Sequence, residues 1–149
     1  MAFLGQFEYT LDAKNRLTIP PKFRGALSDG VVLAKELDPC VSIWPVNAWV
    51  QHTERILGSR DQLDEDARDL QRLIHAGAFE GQLDGAGRVM LPQALIERVG
   101  LDRDVTLIGN LNLIEVWGRQ QWSKRQPELD AQANEIAKRL SKRDREGGR

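Results

Sequence analysis

Asp12 and Arg16 stand four residues apart, and Asp84 and Arg88 repeat the pair 72 residues later. Across a tight turn, a carboxylate and a guanidinium at that spacing can close a charge-assisted hydrogen bond that fixes the turn. Arg16 has a second possible role, pointing outward to a phosphate or a base edge. The two roles do not exclude each other. Recurrence in both places favours the bracing role for Asp12 and Asp84. The surroundings differ more than the pairs do. Lys14, Asn15, Lys22 and Arg24 accompany Arg16, whereas Ala86, Gly87, Ala94 and Ile96 hold the matching places around Arg88. The first motif therefore gathers four cations where the second has one. Folding needs no such cluster. Lys and Arg beside an Asn suit phosphates and purine edges, although a merely solvated face is the alternative.

Other chemistry has little to build on. His52 and His75 are 23 residues apart and lack partners at metal-ligand spacing. Cys40, the single cysteine, follows Pro39 with no adjacent histidine to activate it, so packing is its expected role. GAFEG and DGAGR lack the Lys and Ser/Thr of a phosphate loop and the spacing of a dinucleotide fingerprint. No G-x-S-x-G occurs. No enzyme, cofactor or metal is expected. The formal charge of −1 rules out a uniformly basic coat but not a basic patch. Apolar residues at 41% and charged residues at 29% mark an ordinary folded protein. No 18-residue apolar stretch is present, and the start lacks a basic segment leading into an apolar one. A cytoplasmic protein with neither membrane span nor signal peptide is expected.

The elements that position the two motifs come as a repeat. Residues 5–20 over 77–92 agree at seven of 16 positions: Gly5/Gly77, Phe7/Phe79, Glu8/Glu80, Leu11/Leu83, Asp12/Asp84, Arg16/Arg88 and Pro20/Pro92. An offset of 73 then pairs Ile43-Trp44 with Val116-Trp117, and Trp49 with Trp122. A duplicated unit follows, about 1–75 and 76–149. In each copy the pattern predicts strand, turn, strand, short helix, strand, strand. Phe7, Tyr9 and Leu11 alternate with polar residues, Asp12–Asn15 turn, and Arg16–Ile19 form the second strand. Pro20-Pro21 then opens a helix over Lys22–Leu27, before strands at Val31–Leu33 and Val41–Trp44. The second copy's last strands are expected at Val105–Ile108 and Leu113–Trp117, joined through Gly109-Asn110. Units this small have little core of their own, and their edges invite pairing with another copy.

Longer helices flank these units. Pro45–Leu57 and Asp61–His75 are expected as amphipathic helices, the latter with Leu63, Ala67, Leu70 and Ile74 on one stripe. Glu128–Leu140 is expected as a third, running into a basic tail. That tail sets Lys138, Arg139, Lys142, Arg143, Arg145 and Arg149 against Asp144 and Glu146.

FLGQFEYTLDAKNRLTIPPKFR, LDGAGRVMLPQALIERVGL and IEVWGRQQW together resemble the bacterial MraZ family, over essentially the whole chain. Each D-x-x-x-R motif alone is weak, but two of them, each followed by an apolar pair and proline, are strong. The resemblance implies an α+β, mainly β fold of two tandem AbrB-type swapped-hairpin units with flanking helices. It implies a ring-like homo-oligomer that binds double-stranded DNA in the cytoplasm, at the nucleoid. The implied targets are direct repeats upstream of its own gene, which heads a division and cell-wall cluster, and the implied effect is repression. The family's motif arginine falls on Arg16, with Lys14, Asn15, Lys22 and Arg24 on the same basic surface. Where the family usually has glycine this chain has Asn15, which can adopt the same turn at some cost. The competing class is a ring that chiefly binds proteins, its basic face incidental.

Overall fold

The computed structural model describes residues 2–58 and 61–147. The elements in chain order are β1 (Phe3–Thr10), β2 (Arg16–Thr18), α1 (Pro21–Arg24) with a 3-10 turn (Gly25–Leu27), β3 (Val31–Ala34), β4 (Val41–Pro45), α2 (Val46–Leu57) and α3 (Glu65–Ala76). The second copy adds β5 (Ala78–Gly81), β6 (Arg88–Met90), α4 (Gln93–Val99), β7 (Asp104–Leu111), β8 (Leu113–Gly118) and α5 (Arg119–Gly147). The chain divides into two units, Met1–Gly118 and Arg119–Arg149.

In the first unit the two repeats exchange strands. One sheet runs β1-β7-β8-β4-β3-β5, and β2 pairs with β6 in a separate ribbon. Thus β1 lies against β7 of the other copy, as β5 lies against β3. The register carries a local twofold relation. Leu17 pairs with Val89, its own counterpart at an offset of 72, and Ser42 pairs with Glu115, its counterpart at 73. This is a duplicated swapped-hairpin fold with flanking helices.

The core follows the same relation. Leu17/Val89, Ile19/Leu91, Phe23/Leu95 and Leu27/Val99 are all buried, each pair drawn from both copies. The rings of Phe3 and Phe7 meet Phe23 edge-on at 5.2 and 5.6 Å, an arrangement aromatic quadrupoles favour. β3 and β4 are covered on both faces, which explains their continuous apolar runs, Val-Val-Leu-Ala and Val-Ser-Ile-Trp.

Gly109 sits inside β7, opposite Gly5, and the β7–β8 turn falls at Leu111-Asn112 rather than at Gly109-Asn110. A Cβ on Gly109 would lie 2.5 Å from the Leu4 nitrogen and 2.6 Å from the Phe3 carbonyl carbon. The glycine serves close approach of β1, and Leu111 takes the positive φ, 62°. Gly109→Ala is expected to push β1 away and cost about 1–3 kcal/mol, as overpacking does. A lowered urea midpoint checks this; an unchanged one contradicts it.

Two helix readings are corrected. α3 starts at Glu65, capped by the Asp64 carboxylate accepting from the Asp66 N–H at 2.9 Å. Leu63 therefore precedes the helix and is 84% exposed, off the expected stripe, whereas Ile74 is buried. In the second unit, α5 begins at Arg119 and runs through Pro127 instead of starting at Glu128. Proline there forfeits one main-chain bond. The residues before it are mostly good helix formers, and Arg125 bonds Glu128 across it at 3.3 Å. No residue of α5 is buried. Its basic end is helical to Gly147, and Arg149 lies outside the described residues. No described helix is long and apolar enough to cross a membrane.

Candidate nucleic-acid interface

The two Asp/Arg motifs close the ends of the β2–β6 ribbon. In the first turn, the Asp12 Oδ1 accepts from the Lys14 and Arg16 N–H groups at 2.9 and 2.8 Å. The Asn15 N–H donates to the Asp12 carbonyl at 3.0 Å, with Asn15 left-handed at φ 60°. The second turn repeats this through Ala86, Gly87 and Arg88 around Asp84, with Gly87 at φ 75°. Asn tolerates the left-handed well better than most side chains, so the exchange preserves the turn. The turns then tie the copies together. The Ile19 N–H donates to the Gly87 carbonyl at 2.9 Å, and the Leu91 N–H to the Asn15 carbonyl at 2.8 Å.

Each arginine is held by its own aspartate. The Arg16 Nε donates to the Asp12 Oδ2 at 2.6 Å, and the Arg88 Nε to the Asp84 Oδ2 at 2.9 Å. Arg88 also brings an Nη within 3.9 Å of Asp12. Because Asp12 engages Nε, the guanidinium is fixed in direction while its Nη edge stays available to a paired acceptor. Each ion pair cancels its own charge, so the surplus positive charge here comes from Lys14, Lys22 and Arg24.

These three are placed differently. Lys14 lies exposed on the first turn. Arg24 reaches back to donate from Nε to the Ile19 carbonyl at 2.9 Å and lies over Gly87, where any Cβ would collide with its guanidinium. Gly87 therefore makes room for a cation of the first copy, besides shaping its own turn. Lys22 stands apart on the aromatic pair, its Nζ 4.9 Å from the Phe7 centroid and 5.3 Å from that of Phe23. Asn15 is tied to the second copy, its Nδ2 donating to the Gln93 Oε1 at 2.9 Å.

The N–H of Arg16, ahead of its guanidinium, holds the Asp12 carboxyl down to about 2 from its ordinary 3.8, against some desolvation. Asp84 is lowered in the same way, chiefly by the Arg88 N–H. A depressed folded-state pKa contributes stability that is present above the ordinary value and is lost as pH falls through the folded one. The gap in melting temperature between the wild type and Asp12→Asn is thus expected to be full at pH 5 and to close between about pH 4 and pH 2. A gap constant over that range contradicts the brace.

The outward face of the ribbon holds residues the motifs do not reveal. β2 and β6 have a single buried central residue each, Leu17 and Val89, so Arg16, Thr18, Arg88 and Met90 face the other way. Arg16 stands opposite Met90, and Thr18 opposite Arg88. Thr18 and Met90 were detectable in sequence only as matched places two beyond each arginine.

The remaining candidates lie elsewhere. His52 pairs with Glu36 and stacks on Trp44 at 3.8 Å, while the Trp44 Nε1 donates to Glu36 at 3.3 Å. Cys40 is buried nearby, and burial pushes its thiol up, away from the reactive thiolate. An open cleft of about 480 Å³ between α2 and α3 is lined by Trp49, Thr53, Leu57, Gln71 and His75. Among the described residues, no group of three or more His, Cys, Asp or Glu is placed to hold a metal ion.

The first unit is thus a duplicated swapped-hairpin body whose β2–β6 ribbon is flanked by Lys14, Lys22 and Arg24. The family model described as "MraZ protein, putative antitoxin-like" matches twice, over residues 2–73 and 74–144. The chain is 37% identical to the Transcriptional regulator MraZ of Thermoanaerobacter pseudethanolicus over 92% of its length and 95% of that protein's. It is 35% identical to the one from Natranaerobius thermophilus and 36% identical to the one from Clostridium acetobutylicum, each over 93% of this chain and 96% of the relative. The chain belongs to the MraZ family. It is a transcriptional regulator by that membership, and not an enzyme.

Proposed function

We propose that the chain regulates transcription by binding double-stranded DNA sequence-specifically through the β2–β6 ribbon. Arg16 is the principal base contact, and Lys14, Asn15, Lys22 and Arg24 are the surrounding phosphate and base contacts. Asp12, Asp84 and Arg88 hold the two turns. The observation that carries this reading is Asp12 fixing Arg16 through Nε. A guanidinium so held presents a forked donor edge matched to guanine O6 and N7, the commonest specific contact in the major groove. That groove admits a two-stranded ribbon as readily as a helix.

One ribbon with so few cations binds weakly. A ring-like homo-oligomer would present several at fixed spacing, so that direct repeats engage two or more at once. The finer reading is repression, at the nucleoid in the cytoplasm, of the division and cell-wall cluster headed by its own gene. Its domains are the two repeats, about 1–75 and 76–149, each with its trailing helices and the second with the basic tail.

The test is titration of a labelled duplex from immediately upstream of the gene, at two salt concentrations, with a scrambled duplex as competitor. Binding is expected to resist the scrambled duplex and to weaken steeply with salt, as counterion release requires. Equal, salt-insensitive affinity for both duplexes favours a protein-binding ring instead.

A further inference from the structure

We infer that the second repeat takes part in base reading through Met90, which contacts the 5-methyl group of a thymine beside the base read by Arg16. The inference rests on the proposed DNA-binding reading and extends it to a residue outside both Asp/Arg motifs.

The register carries the argument. The local twofold passes through the Leu17–Val89 pair, so the residue opposite Arg16 is not Arg88 but Met90. Directly opposed side chains share a face, with Cβ atoms about 4.5–5.5 Å apart. That separation lies between one base step of about 3.4 Å and two, so tips that converge slightly reach neighbouring bases on a strand. Met90 is 62% exposed, on the face turned away from Leu17 and Val89, so the core does not account for it. Its flanking residues on the same face are Arg16, Thr18 and Arg88. An unbranched, polarisable thioether among arginines is suited to an irregular apolar target. On the major-groove edge of duplex DNA, that target is the thymine methyl. Arg16 and Met90 together thus match a step that joins a guanine to a neighbouring thymine.

The two repeats differ here in the required sense. Thr18 fills the matching place opposite Arg88, so the ribbon's outward face is not symmetric although its backbone is. An asymmetric reading face gives a direction to each bound site.

The probe is the upstream duplex made in two forms, one with thymine and one with uracil replacing it throughout, which deletes only the 5-methyl groups. Full-length wild type, Met90→Ala and Arg16→Ala are titrated against both. The wild type is expected to bind the thymine form more tightly, by about fourfold for each methyl contacted. Met90→Ala is expected to bind both forms alike, at the affinity the wild type shows for the uracil form. Its melting temperature is expected to stay near that of the wild type, because the side chain is exposed. Met90→Ala retaining the full thymine preference overturns the inference, as does a wild type with no such preference. In either case, if Arg16→Ala still loses affinity, the broader DNA-binding reading survives. If Arg16→Ala binds like the wild type, that reading fails with it.

Discussion

Truncating Leu17 to alanine is expected to destabilise the body by about 2–5 kcal/mol, the usual cost of a Leu-to-Ala cavity in a packed core. Leu17 has no exposed surface and stands directly opposite Val89, at the centre of the ribbon. Its neighbours are the buried pairs Ile19/Leu91 and Phe23/Leu95, drawn from both copies. The cavity would therefore open between the repeats, where neither can collapse into it alone. Because one core serves both, unfolding is expected to remain a single transition with a lower urea midpoint. Two separated transitions, or a loss well under 1 kcal/mol, would mean that the repeats do not share that core.

Replacing Arg16 by alanine is expected to lower affinity for the upstream duplex about fivefold to 150-fold for each engaged ribbon. Loss of a bidentate base contact costs about 1–3 kcal/mol, and free energies add when several ribbons bind one operator. Stability should hardly change. Asp12 keeps the N–H groups of Lys14 and Arg16 as donors, since both belong to the main chain. Only the guanidinium bond is lost, and both side chains are about one-third exposed, at 32% and 34%, where ion pairs contribute about 0–1 kcal/mol. Melting temperature and DNA affinity measured on one preparation separate the roles. A parallel fall in both would mean that Arg16 acts only by bracing the turn.

Much of this fold was legible residue by residue. Alternation found β1, the Asp12–Asn15 cluster found the turn, and the apolar run at Val31–Leu33 found β3. Exchange between copies was expected from the exposed edges and the resemblance, but the particular partners were not legible, because period-two alternation identifies a strand without saying which strand lies beside it. β1 pairs with β7 across the repeats, and nothing within residues 3–10 specifies that. The glycines misled for a related reason. Gly109-Asn110 reads as a hairpin turn, yet its glycine is required by β1, a segment a hundred residues earlier. The helix expected from Glu128 instead begins at Arg119 and passes through Pro127, because the apolar stripe from Leu129 onward marks only its later part. At the site, charge and recurrence were sufficient to single out Asp12, Arg16, Asp84 and Arg88. Met90 stayed hidden because it matters only through standing opposite Arg16, and that register exists only after the strands exchange.

If Arg16 reads bases rather than merely supplying charge, Arg16→Lys must cost the protein its discrimination between sequences. Lysine keeps the positive charge but not the forked donor edge. The quantity to measure is the ratio of affinities for the upstream and scrambled duplexes at one fixed salt concentration. That ratio is expected to fall about tenfold in Arg16→Lys, while binding to the scrambled duplex stays near that of the wild type. A ratio unchanged from the wild type would contradict the account and leave Arg16 as a phosphate contact or a brace.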